Sequence, residues 1–499
     1  MSMIAGLDVG TTGCKLAVYD QNARLLDVYY NEYESVHSGG QHEIDFMVVK
    51  NGVMNLLKKA VAEYKITAVG ITSFGETFAM LDEDDNILAP SMLYTDPRGK
   101  EECDVLCRAI GMEKLTLLTG VKPHQMYSIA KIIWQKNNNP EAFVKCKRIL
   151  LGQDFIIYTL TGNAVMDYSL AARTGAFDVE KKCWIKEIFD VFGVDISLMS
   201  KAVEAGNVAG NIKTSLKEEL GIDYDITIIN GCHDQIAAMI GAGVLNDTTA
   251  MDGTGTVECI PVILNKKPED INFYAGGYSV VPFGENKYAC YALSYSGGAT
   301  LKWFRDNFAE LEHKQAWENK TNVYADLDKK VKVPPTDVLV LPHFAGAATP
   351  YMDNDSKAVF VGVTLETDKI DIYKALMEGT AYEILLNFNT MKAYTGEIAE
   401  IRATGGGATS DVWLQIKADI LNREITALDC AEVGAAGTAA IAGNAVGVYD
   451  DIKSVTAKMA PVRKIFVPNK QNNKIYTANY QRYQNLYTTI KTLMREEIC

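Results

Sequence analysis

An apolar run, Ile4–Val9, ends in the string Asp8-Val-Gly-Thr-Thr-Gly13, and 244 residues after Asp8 a loose copy stands at Asp252-Gly-Thr-Gly-Thr256. Glycines and threonines at a strand end let the chain turn sharply and turn amides and hydroxyls toward one spot. A phosphate chain needs such a surface. Each copy heads its own half, which predicts two related domains facing a shared cleft. A length of 499 residues agrees, because one core seldom serves so long a chain. The first copy can equally be a tight β-hairpin between Ile4–Val9 and Lys15–Tyr19, and the residues alone leave both readings open. Its spacing is neither a Walker A loop nor a dinucleotide fingerprint.

Short β-branched runs at Ile4–Val9, Ala68–Thr72, Arg148–Leu151, Ile226–Asn230, Val338–Pro342 and Glu400–Thr404 alternate with amphipathic helical patterns. That alternation predicts an α/β fold with substantial parallel sheet. An apolar helix gives way to polar residues near Leu245-Asn-Asp-Thr248, so the expected partition is 1–247, 248–450 and a closing helical segment 451–499. In that last segment Tyr476, Tyr480, Tyr483 and Tyr487 stand at helical spacing, a packing stripe rather than a ligand site.

Composition serves to exclude. Hydrophobic residues at 48% and charged residues at 22% describe a globular chain, not a disordered one. The 49 Lys+Arg against 63 Asp+Glu leave a net charge of −14, which repels nucleic acid. Any nucleotide site must therefore bring local amides, a lysine or a metal ion. The start carries no secretory pattern. Ile236–Leu245 is too short to span a bilayer, and Val433–Tyr449 is interrupted by Thr438 and Asn444. Ten cysteines include no CxxC pair, and Cys103 and Cys107 lack partners for a zinc site. The expectation is a cytoplasmic protein with reduced thiols and small-molecule ligands, without membrane or nucleic-acid partners, and with a homodimer as the one assembly entertained.

Two further motifs carry chemistry. Thr404-Gly-Gly-Gly-Ala-Thr-Ser410 follows a strand and precedes a helix with Trp413, Ile416 and Ile420 on one face. Three glycines allow a planar base or phosphate to approach the backbone, and Ser410 reads as an N-cap; a purely structural loop is the alternative. Gly231-Cys-His-Asp-Gln235 joins a strand to a helix, so Asp234 reads either as a helix cap or as a general base at a strand end.

Taken in order, these motifs resemble the FGGY family of carbohydrate kinases. Tyr94-Thr-Asp-Pro-Arg98, Ser128-Ile-Ala-Lys131 with Trp134, Leu160-Thr-Gly162, Asp167-Tyr-Ser169, Gly297–Trp303 and Glu378-Gly379 fill the gaps, and Gly405–Asp419 is the most specific string. The resemblance implies two actin-like, ribonuclease H-like domains of hexokinase type around a central cleft, binding ATP and a sugar or polyol. It implies Asp234 as the catalytic base and Asp8 as a Mg²⁺ holder through water. Gly10, Thr11, Thr12 and Lys15 would form the first phosphate loop, with Thr254, Gly255, Gly298, Gly406 and Ser410 around the nucleotide. Gly75, Glu76, Asp234 and Gln235 would meet the acceptor. Lys15 stands where the glycerol kinase branch has Arg, Ile44 and Phe46 replace a Gln-Asp-Pro context, and Gln135 replaces an aliphatic residue. Gly75 also stands where that branch has Arg, which predicts a roomier pocket and a xylulose-like ketose ahead of glycerol or another polyol. Actin-like ATPases without sugar kinase activity share the paired loops but lack the Gly405–Asp419 string.

Overall fold

The computed structural model describes residues 2–284 and 286–495. They form two units: Met1–Leu245 with Ser279–Ala289 and Glu432–Ala460, and Asn246–Tyr278 with Cys290–Ala431 and Pro461–Cys499.

The first unit is built on β1 (Met3–Val9), β2 (Gly13–Tyr19), β3 (Leu25–Glu32), β4 (Ile66–Ser73), β5 (Val208–Asn211) and β6 (Thr227–His233). Their spatial order is β5-β6-β4-β1-β2-β3. β1, β4 and β6 run parallel, while β2, β3 and β5 are antiparallel to their neighbours. The helix Phe46–Glu63 is capped by Asp45, whose carboxylate accepts from the Met47 amide at 2.8 Å. It buries Phe46, Val49, Val53 and Leu57 in one cluster with Leu7, Leu16, Val69 and Ile71.

The second unit repeats the plan with β7 (Thr249–Thr254), β8 (Glu258–Leu264), β9 (Lys287–Ser294, of which Cys290–Ser294 belong here), β10 (Glu400–Thr404), β11 (Glu424–Leu428) and β12 (Val462–Phe466). The order is β9-β8-β7-β10-β11-β12. β7, β10 and β11 are parallel, and β8 and β12 antiparallel to their neighbours. The echo between Asp8 and Asp252 thus reflects two copies of one strand order.

The expected partition needs correcting in three places. Ser279–Ala289 joins the first unit because Val280 donates its amide to Gly120 O at 2.8 Å. A Cβ at Gly120 would lie 2.2 Å from Val280 O, so only glycine permits the approach. Glu432–Ala460 joins it through the helix Val433–Ala445, whose small residues press onto the sheet. A Cβ at Gly6 would fall 1.9 Å from Ala435 O, and one at Gly70 2.5 Å from Thr438 O. One at Gly241 would fall 1.9 Å from Val433 O. The two most apolar stretches of the sequence therefore pack on each other, and no described helix is long and apolar enough to cross a membrane.

Third, 451–499 is not one closing helix. It holds Ile452–Met459, then β12, then Lys470–Tyr483 and Leu486–Arg495. β12 is an edge strand whose Arg463 and Lys464 pair with Asp411, a charged edge that discourages further pairing. The tyrosine stripe is buried as expected, with Tyr476 OH donating to Glu378 at 2.8 Å and Tyr487 OH to Asp353 at 2.7 Å.

Two of the expected strands stand outside the main sheets. Arg148–Leu151 pairs with Phe78–Leu81, and Leu339–Leu341 pairs with Val359–Val361. Short apolar runs carry no information about which strand they will meet.

Candidate active site

In the first unit the carboxyl ends of parallel strands β1, β4 and β6 lie side by side: Asp8 is level with Thr72, and Ser73 with His233. That end of a parallel sheet is where such folds place ligands. The Asp8–Lys15 region is a hairpin, closed by the Gly10 amide donating to Gly13 O at 2.9 Å. The hairpin reading of this motif therefore holds, and the Thr11 and Thr12 amides donate to no group among the described residues. Tyr33 OH donates to Gly10 O at 2.6 Å and steadies the turn.

Asp8 is half-buried, and burial pushes its carboxyl up to about 7, with the negative charge of Asp234 adding to the effect. A Cβ at Gly434 would lie 2.8 Å from Asp8 Oδ2, so the helix Val433–Ala445 starts against this carboxylate. Lys15 is not free to point at a phosphate, since its Nζ is 2.7 Å from Glu432 Oε2. Among the described residues no three acidic, His or Cys side chains converge into a protein-only metal cage. One carboxylate whose proton affinity is raised by burial, and further by neighbouring negative charge, fits a hydrated Mg²⁺ instead.

Asp234 is the first residue of the helix Asp234–Gly241, not its cap, because His233 occupies the cap position. Its Oδ1 accepts from the Gln235 amide at 2.5 Å, and Gln235 itself is half-buried. Burial raises Asp234 to about 6, although 29% of its side chain stays exposed. His233 Nε2 lies 3.3 Å from Asp234 Oδ1. Burial, helped by the Arg173 charge, pushes this imidazole down to about 3, so it is neutral beside the carboxylate.

The Gly75–Glu76 turn differs from expectation. Glu76 is buried in a left-handed conformation at φ 65°. Its carboxylate pairs with the Arg173 guanidinium, Nε donating to Oε1 at 2.5 Å with a second contact from NH2. A Cβ at Gly75 would stand 3.1 Å from Arg173 Cβ and Cγ and 3.3 Å from His233 Cδ2. The lack of a side chain at 75 therefore does not open a roomier pocket: Arg173, from the end of the helix Tyr168–Ala172, occupies that space. Tyr127 supports the guanidinium, whose carbon is 5.1 Å from the ring centre.

Tyr94-Thr-Asp-Pro-Arg98 and Lys131 brace this region. Arg98 NH2 pairs with Asp96 at 2.7 Å and with Glu43 at 2.6 Å, and buried Lys131 donates to Asp96 O at 2.7 Å.

In the second unit three turns meet. The Gly298 amide donates to Gly255 O at 2.8 Å, and Cβ atoms at Gly405 and Gly407 would each stand 2.6 Å from Thr254 atoms. Gly406 alone in that loop has nothing within 4 Å of a built Cβ, so no protein neighbour accounts for its missing side chain. Ser410 caps the helix Asp411–Leu421 as expected, accepting from Trp413 N at 3.0 Å and donating to Asp328 Oδ2 at 2.7 Å.

The Thr254 hydroxyl turns inward. Lys417 Nζ, fully buried, sits 2.5 Å from Asp252 Oδ2, 2.7 Å from Glu258 Oε1 and 2.8 Å from Thr254 Oγ1. Thr254 can thus offer a ligand its backbone, not its side chain. Lys417, Glu258, Glu432 and Arg173 escaped the sequence reading. Lys417 gave one signal, a lysine four residues after Trp413 on the face expected to be buried.

Family models for the N-terminal and C-terminal domains of the FGGY carbohydrate kinases match residues 3–241 and 253–446. The chain belongs to the FGGY family of carbohydrate kinases. This kinase is 28% identical to a xylulose kinase of Staphylococcus epidermidis over 98% of this chain and 97% of that one. It is 27% identical to a glycerol kinase of Thermococcus gammatolerans, covering 93% of both. The ligand-bound xylulose kinase of Lactobacillus acidophilus superposes with a TM-score of 0.89 at 25% identity, covering 98% of this chain and 99% of the other. The fold is the two-domain, actin-like, ribonuclease H-like one of these sugar kinases.

Proposed function

We propose that this kinase phosphorylates a hydroxyl of a xylulose-like pentulose with ATP, using Asp234 as general base. The observation that carries the reading is the pair Asp8, at the carboxyl end of β1, and Asp234, directly after the carboxyl end of β6, on the two parallel strands that flank β4, each with its carboxyl raised by burial. A base near 6 is ionised at neutral pH yet basic enough to take a hydroxyl proton as the bond to phosphorus forms. Neutral His233 neither competes for that proton nor cancels the carboxylate charge. Phosphoryl transfer asks the protein mainly to position groups and offset charge. Thr11 and Thr12 would offer amides to the phosphates, and Lys15 would add a cation once it leaves Glu432. Mg²⁺, when bound, would neutralise phosphate charge, and Asp8 is the residue that would hold it through water.

The second unit would take the nucleotide, with Gly255, Gly298 and Gly406 leaving backbone exposed to it. Gly406→Val should leave melting unchanged and raise KM for ATP roughly tenfold, since overpacking costs about 1–3 kcal/mol. Gly405→Val, at φ 80° and 2.6 Å from Thr254 O, should instead lower the melting temperature. A normal KM for ATP in folded Gly406→Val would remove Gly406 from the nucleotide site. Free thiols throughout the described cysteines suit a reducing, cytoplasmic setting.

Support for the pentulose comes from end-to-end similarity to xylulose kinases. ADP release measured across pentuloses, pentitols, gluconate and glycerol tests it. Xylulose is expected to lead in kcat/KM, and glycerol ahead of every pentulose would overturn the choice of acceptor.

A further inference from the structure

Arg173 lies in none of the motifs that led to the base, yet it touches the two segments that bracket it. Its guanidinium is clamped by Glu76, with both side chains 6% exposed or less, and rests on the Tyr127 ring. Its Cβ and Cγ and the His233 ring border one point, the place of an absent Cβ at Gly75, at 3.1 and 3.3 Å. Ser128 Oγ donates to Glu76 O at 2.6 Å and holds the turn from its other side. His233 leads directly into Asp234, with Nε2 3.3 Å from Oδ1. Arg173, paired with Glu76, and His233, beside Asp234, thus both flank Gly75.

We propose that Arg173 is a positioning residue: held by Glu76, it fixes the Gly75–Glu76 turn against His233 and so sets the place and the electrostatic surroundings of the adjoining Asp234 carboxylate. The inference rests on the reading of Asp234 as the base. The charged and titratable groups around Asp234 are few. His233, on the preceding strand, is neutral. Asp8 on β1, itself beside Lys15 and Glu432, feels the negative charge of Asp234. Glu76 is already paired with Arg173. Arg173 is the cation whose charge lowers Asp234 against the burial that raises it. A planar, permanently charged fork suits the task better than a lysine, because it holds the turn and the field together.

The test is kcat/KM for the acceptor against pH, with melting measured on every sample. Wild type should lose activity as pH falls through about 6. Arg173→Gln should move that acid limb up by about one unit or more. Activity then falls roughly tenfold on the acid side and recovers in alkali. Arg173→Lys should keep the limb near its wild-type position while lowering kcat.

Arg173→Gln leaves Glu76 buried without its cation, which threatens folding. The double variant Glu76→Gln/Arg173→Gln removes both charges and should show the same displaced limb. A folded Arg173→Gln or double variant with the wild-type limb would overturn the proposal. Asp234→Asn separates the two ideas. If it is inactive while the Arg173 variants keep the wild-type limb, only the role of Arg173 fails. If it stays active with an unchanged limb, the base assignment fails first.

Discussion

Asp234→Asn should lower kcat by at least about 10²-fold, the scale of general-base catalysis, with KM for ATP and acceptor nearly unchanged. Asparagine keeps the shape and can still accept from the Gln235 amide, but it cannot take a proton. The stability cost should be small. Asp234 is the first residue of its helix, where a negative charge is worth about 0.3–1 kcal/mol. Loss of its charge should also let the neighbouring Asp8 carboxyl fall from its raised value, because Asp234 is one cause of the rise. Turnover within about threefold of wild type, with a clearly lower melting temperature, would return Asp234 to a helix-end role.

The largest stability effect is expected at Lys417→Met. Lys417 is buried with Asp252, Glu258 and Thr254, and its removal leaves two carboxylates without a cation in a dry site. Breaking such a cluster from one side costs about 3–5 kcal/mol. Denaturant unfolding should show that loss in the second unit. Burial raises the Glu258 carboxyl, so the folded state holds its proton more tightly than the unfolded state does. Stability linked to that group therefore falls as pH rises, and the deficit of the variant should shrink toward acid pH. Asp252→Asn and Glu258→Gln added to Lys417→Met should restore much of the loss, because no unpaired charge remains. A loss below about 1 kcal/mol for Lys417→Met alone would mean that the cluster stays solvated.

The sequence exposed the parts of the fold that depend on local chemistry. The hairpin at Gly10–Gly13, the strand Glu400–Thr404 and the cap at Ser410 are written in neighbouring residues, and they stand where their glycines and hydroxyls indicate. Contacts across hundreds of residues left no such trace. Nothing near Gly75 announces that Arg173 will fill the space beside it, and nothing near Lys15 announces Glu432, 417 residues away. Gly6, Gly70 and Gly241 look like ordinary small residues until the helix Val433–Ala445 lies on them. The resemblance to the family supplied the order of the motifs. It could not supply the buried ion pairs, whose partners come from segments with no motif of their own.

The return of Glu432–Ala460 to the first unit sets a timetable for synthesis. When the chain has been made only as far as Leu245, β1 and β4 still lack the helix that covers Gly6 and Gly70. That bare, side-chain-poor face stays open while the whole of the second sheet except β12 is being produced, and domains that wait in this way are prone to stick to one another. Maturation of the first unit is therefore a late event, bound to translation of nearly the last tenth of the chain, and a gene cut at the apparent domain boundary would yield a half that cannot close its own sheet.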